Sequence, residues 1–158
     1  MSDTTTTLTR PWILAAAGAQ FGTLWIMKTS IIPLLDARPY GEYVRNAQLI
    51  DMHLFHPIAF WNGIVTTGLG AFAAVRSGSP RQSAAYALGS VAMLGVGLTS
   101  EGLNRPIWRQ LEHWDPHHPP TGWARLRRRW NRAHDVRTLC AAVALGAFTA
   151  AQLLGDRS

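Results

Sequence analysis

Six residues concentrate the chemistry open to this chain. His53 and His56 are spaced i, i+3, as are Glu101 and Asn104, and His134 and Arg137. On a helix that spacing puts both members of a pair on one face. Imidazoles with a carboxylate are donors that suit iron, copper, zinc or manganese. His53, His56, Glu101 and His134 are therefore the candidate metal ligands or acid–base groups. Asn104, Asp135 and Arg137 would then orient those ligands, a substrate or bound oxygen. Without a metal, His134 is a general base for an acidic C–H, and the resulting carbanion can react with O2 directly. His134, Asn104 and Arg137 are accordingly the candidate catalytic residues.

A plainer reading stands beside each. Interfacial histidines such as His53 often only hydrogen-bond headgroups or helix ends. Glu101 and Arg137 are equally able to form a structural ion pair that closes a bundle. His113, His117 and His118 lie among prolines and read as a solvated loop. Lys28 reads as a snorkelling side chain. The tryptophans read as interface anchors before they read as a ligand cage. No Walker loop, dinucleotide glycine motif, Cys-x-x-Cys-His or serine elbow is present.

The elements that would hold these groups are set by where charge is missing. Mean hydropathy is near zero and the formal net charge is +6, values that suit a soluble chain. Yet residues 57–75 and 82–100 carry no charge, residues 11–35 carry only Lys28, and none follows Arg137 until Asp156. Such segregation is a membrane signature. About 20 apolar residues cross about 30 Å of hydrocarbon, and four segments qualify: about 12–35, 56–75, 82–103 and 133–154. The expected fold is all-α, an integral membrane four-helix bundle in one domain spanning 1–158. Pro11 suits the first turn of the first helix. Small residues at Gly18, Gly22, Gly89, Ala92, Gly95, Gly97, Ala142 and Gly146 permit close helix approach.

Two connections complete the bundle. Residues 36–55 read as an extra interfacial helical segment between the first two spans, with Tyr43, Ala47, Ile50 and Leu54 on one stripe and Glu42, Arg45 and Asn46 elsewhere. Residues 104–132 read as a basic connection with seven arginines and Trp108, Trp114, Trp123 and Trp130, composition that suits the headgroup region. That interleaving and the adjacent spans argue against a nucleic-acid module. Counting arginines favours termini on the outer side of a bacterial cytoplasmic membrane. The first apolar segment reads as a retained helix rather than a signal peptide, since no basic stretch precedes it. Cys140, the single cysteine, has no internal partner and reads as a small apolar residue.

Several stretches together resemble one family. Ile31-Ile32-Pro33, Tyr43-Val44-Arg45-Asn46-Ala47-Gln48 with Pro57, Leu103-Asn104-Arg105-Pro106, and Arg128 through Leu139 are similar to the anthrone-oxygenase-like family of small four-helix membrane proteins. The resemblance runs over nearly the whole chain and is most specific at the Arg-Trp-Asn…Val-Arg-Thr run that enters the last helix. It implies insertion of oxygen from O2 into an anthrone to give an anthraquinone. The family pattern has asparagine at the positions of Glu101 and His56, and asparagine or histidine at that of His134. The departure implies better metal ligands and points away from an anthrone substrate.

The function expected is a membrane-embedded oxygenase or oxidase that uses O2 on a small lipophilic metabolite, in secondary metabolism. Its cofactor is non-haem iron or copper if a metal is bound, and none otherwise. O2 partitions into hydrocarbon, and a buried pocket shields reactive intermediates from water. The partners are the substrate, O2 and the lipid bilayer, with no nucleic acid, and self-association is left open. The rivals are a non-enzymatic small-molecule carrier, weakened by the lack of an inverted repeat, and an assembly partner of another membrane enzyme.

Overall fold

Two prolines divide the long helices of this protein and create its most unusual backbone. The computed structural model describes residues 4–50 and 55–155, with side chains from residue 9 onward. Helix α1 (Thr4–Ile26) runs through a π turn (Met27–Ile31) into α2 (Ile32–Asp36). Helix α5 (Pro80–Thr99) runs through a second π turn (Ser100–Asn104) into α6 (Arg105–Leu111). Pro33 and Pro106 each stand at the second position of the short helix that follows. A proline offers no amide and its ring crowds the carbonyl four residues back. The turn before each one widens, so that the Ile32 amide reaches Met27 and the Arg105 amide reaches Ser100, five residues back. Such π turns occur frequently at functional sites.

The remaining helices are α3 (Tyr40–Leu49), α4 (Phe55–Arg76) and α7 (Trp123–Gly155). Among the described residues, three helices are long and apolar enough to cross a membrane: Phe55–Arg76, Pro80–Leu111 and Trp123–Gly155. The first of the four expected spans is not among them. Gln20, Thr23, Lys28, Thr29 and Ser30 dilute its apolar character. It still packs lengthwise against α4 and α7. It is already helical at Thr4, ahead of the expected start, so Pro11 lies inside the helix.

The connection before the last helix differs from expectation as well. Most of residues 104–132 is helix, and only about 112–122 is a loop. α7 has 33 residues, about 50 Å at 1.5 Å per residue, against about 30 Å of hydrocarbon. Its arginine-bearing first turns therefore project past the apolar layer. The loop is tied by Asp115, which accepts from the His117 amide and pairs with His118. It ends at Gly122, whose φ of 83° favours a residue without Cβ. His113, His117 and His118 are exposed, as a solvated loop requires.

Two cores result. One lies within the bundle, where α5 packs on α4 and α7 and the Phe148 ring is fully buried. A Cβ at Gly70 would meet Phe148 at 2.8 Å, and one at Gly89 would meet it at 2.5 Å. Both glycines are thus required by the ring. The other core lies at the end of the bundle, where α2, α3, α6 and the start of α7 enclose Tyr43, Val44, Ala47, Trp108, Leu111 and Trp130. The Gln48 amide caps α6 by donating to the carbonyls of Leu111, Glu112 and Trp114. Asp36 accepts from Asn131 at 2.7 Å and pairs with Arg127 at 3.5 Å, joining α2 to α7. α3 bears out a helical segment between the first two expected spans and its stripe at Tyr43 and Ala47, and adds Val44. Leu54 lies outside the described residues.

Candidate active site

The two cores meet at a closed circuit of side chains built on α4, α6 and α7. Trp130 and His134 are one helical turn apart on α7 and stack at 5.7 Å. Trp130 in turn meets Trp108 of α6 at 5.8 Å, and Trp108 meets His56 of α4 at 6.3 Å. His56 neighbours Phe55, whose ring lies 5.6 Å from the Arg137 guanidinium carbon. Arg137 returns to His134, donating to Nδ1 from Nη2 at 2.7 Å and from Nε at 3.1 Å.

These contacts assign the His134 tautomer. Nδ1 accepts from the guanidinium, so the proton sits on Nε2, which donates to the Leu24 carbonyl at 3.0 Å. Leu24 lies just ahead of the first π turn, so this bond fixes α1 to α7 at the level of the site. His134 is therefore neutral and spends both nitrogens on protein partners. Its main role here is to hold Arg137.

Arg137 and Asn104 are both 0% exposed. Among the described residues, no carboxylate pairs with Arg137, and its Nη1 has no hydrogen-bond partner. Neither side-chain atom of Asn104 has one, nor has the indole N–H of Trp130. Asn104 closes the second π turn, which packs against α7 and α4, and it stands one turn before Trp108 on the same helix face. An unsatisfied buried polar group costs about 1–3 kcal/mol, and an unanswered buried cation costs several. Three unpaired donor groups stand against one unpaired acceptor on these residues, a balance that favours negative oxygen.

The other expected site residues are placed differently. Glu101 accepts from its neighbour Arg105 at 2.6 Å, on an outer groove with Pro57, Phe60 and Trp61. It forms no pair with Arg137. Asp135 pairs with Lys28 on the opposite flank, so Lys28 has an ionic partner and does not reach past the bundle. His53 lies outside the described residues. Among the described residues, no group of three His, Cys, Asp or Glu side chains is placed to hold a metal ion. To bind a metal, His134 would have to break a hydrogen bond and Glu101 an ion pair.

Sequence reasoning missed Trp108, Trp130 and Phe55 as site residues. The i, i+4 spacings Asn104–Trp108 and Trp130–His134 were the available signal. Trp108 and Trp130 are buried rather than interface anchors, because α3 covers them. Trp114 and Trp123 are half-buried and pack on Tyr40 instead.

The profile of the anthrone oxygenase family matches residues 52–147. That span holds every residue of the circuit and omits the Ile31–Pro33 and Tyr43–Gln48 stretches, so the likeness to the family profile is narrower than the whole chain. No curated protein and no solved structure matches it.

Proposed function

This chain belongs to the anthrone oxygenase family, and on that premise we propose that it is a membrane-embedded oxygenase acting on a small, lipophilic, enolisable phenolic ketone. The observation that carries the proposal is the buried Arg137 guanidinium, without a carboxylate partner among the described residues, on the helix against which the turn bearing the buried, unpaired Asn104 amide packs. Preorganised donors in a dry site stabilise an oxyanion far better than the same donors in water.

The chemistry follows from that charge. The substrate loses a proton from carbon to become an enolate. Its oxygen is held by Arg137 Nη1 and the Asn104 amide, and His134 keeps the guanidinium in register. His56, buried across Trp108 from Trp130, is the group assigned to take the proton. The electron-rich carbon then bonds to O2 and, after protonation, gives a hydroperoxide. Loss of water from that C–O–O–H unit leaves a carbonyl. In balance, one CH2 and one O2 give one C=O and one H2O. No step is routed through a metal.

The test uses the protein in lipid nanodiscs with a dihydroxyanthrone and an oxygen electrode. One O2 should be consumed per quinone formed, and Arg137→Gln should lower kcat/KM about 100-fold or more. Uptake no faster than in empty nanodiscs would rule out the oxygenase and leave a carrier or assembly role.

A further inference from the structure

The site must be reached by a substrate that dissolves in lipid, and one outer face of the bundle is shaped for it. Between α1 and α4 lies a groove of about 360 Å³ lined by Ala19, Gln20, Thr23, Phe55, Ala59 and Asn62, with Ile58 at its edge. That volume falls within the range of small-molecule sites. Phe55 lines this groove, and the same ring lies 5.6 Å from the Arg137 guanidinium carbon. One aromatic ring therefore separates the groove from the buried cation.

Two polar residues on membrane helices also find their place here. Gln20 is buried, and its side-chain oxygen accepts from Asn62 at 2.9 Å, while Asn62 also donates to the Ala16 carbonyl at 3.2 Å. This amide pair, with Thr23 also in the lining, puts a polar strip on a mainly apolar floor, the pattern that orients a flat molecule by one edge. Two other bundle grooves differ in a way that matters to an apolar ligand. The α1/α7 groove carries Lys28 and Asp135, and the groove on the α4 face carries Glu101 and Arg105. Burying either ion pair under an apolar body removes its hydration. The α1/α4 groove has no charged lining residue.

We infer that the α1/α4 groove is the substrate's docking site and lateral access route from the bilayer. It holds the flat apolar body of a polycyclic aromatic, with the Gln20–Asn62 amides reading a polar edge and Phe55 separating that body from Arg137. This inference rests on the oxygenase reading for the identity of the ligand, but its geometry is tested apart from turnover.

The binding experiment uses full-length protein in nanodiscs with Cys140→Ala, so that a single introduced cysteine carries a fluorescent label. Ala19→Cys places the label on the exposed groove rim, and Val91→Cys places it on an exposed apolar face of α5. The probe is a dihydroxyanthraquinone, which resembles product and does not react with O2. Saturable quenching at position 19 with linear quenching at position 91 is the expected result. Linear quenching at both, as when acyl chains fill the groove and the probe merely partitions into lipid, overturns the inference. The kinetic experiment uses Ala19→Trp, which fills the groove from its exposed rim. KM for a dihydroxyanthrone should rise about tenfold with kcat within twofold, and an unchanged KM overturns the inference. If the wild-type protein shows no turnover, the oxygenase reading fails. The quenching result then decides the groove alone, saturation supporting it and linearity removing it.

Discussion

Phe148 and Arg137 stand three helical turns apart on α7 and show two opposite ways of filling a bundle. Around Phe148 there is no spare room: two glycines give their side-chain space to its ring, and the nearby Ser90 and Thr67 hydroxyls find backbone carbonyls. Ser90 donates to the Tyr86 carbonyl at 2.9 Å, and Thr67 donates to the Ser90 carbonyl at 3.0 Å. Around Arg137 the packing is aromatic, and donors are left without acceptors. The first region holds the helices together where lipid offers no hydrophobic drive between them. The second gives up stability to keep a cation dry. The contrast teaches that the tight packing and the candidate site stand at different levels of one helix.

The sharpest way to break that contrast is Arg137→Met. It removes the cation while keeping a flexible side chain of useful length. Turnover should fall about 100-fold or more, while thermal stability in detergent should hold or rise, since an uncompensated buried charge has been removed. A large drop in melting temperature would show that Arg137 is a structural group.

Gly89→Ala probes the other end. Its Cβ would fall 2.5 Å from the Phe148 ring, so overpacking should cost about 1–3 kcal/mol. Gly22→Ala, with nothing within 4 Å of the added carbon, should be neutral or slightly stabilising, as expected for alanine in a helix. Denaturation of the two variants side by side in the same detergent checks the difference. Equal stabilities would mean that the Phe148 seam is not a tight contact.

Asn104→Leu should lower turnover about tenfold, less than the loss of the full charge, with stability unchanged or improved because two unpaired polar atoms disappear. Oxygen uptake and a melting curve on the same sample read both. Asn104→Leu with normal turnover would remove the amide from the oxyanion site.

The smallest effect belongs to the end core, outside the membrane spans. Burial, reinforced by Asp36 and opposed by Arg127, pushes the Tyr43 hydroxyl up from 10.0 to about 12. A raised folded value means the folded protein holds the proton more tightly, so this stabilisation is complete below about pH 10 and is lost as pH rises through about 12. Tyrosinate absorbance in nanodiscs should show Tyr43 ionising late compared with Tyr43→Phe protein, together with loosening of α3. Ionisation at the ordinary pH would show that α3 does not cover it.

The sequence by itself determined the elements, because each rests on local physics. Uncharged runs mark α4, α5 and the second half of α7, and the Tyr43–Ala47 stripe marks α3. Gly89 is readable as a close-approach position, and the proline-rich histidines as a loop. His56, Asn104, His134 and Arg137 were readable as polar groups that membrane helices carry only for a reason. What only the tertiary structure decided was pairing. Glu101 turned to Arg105 four residues on, and Asp135 to Lys28 on α1. Among the described residues, Arg137 was thereby left without a carboxylate. Helix rotation and the widened turns before Pro33 and Pro106 set those choices, and neither follows from spacing on one helix. Trp108 and Trp130 became site residues for a similar reason: α3 folds over them, and burial is a property of the neighbours rather than of the side chain itself.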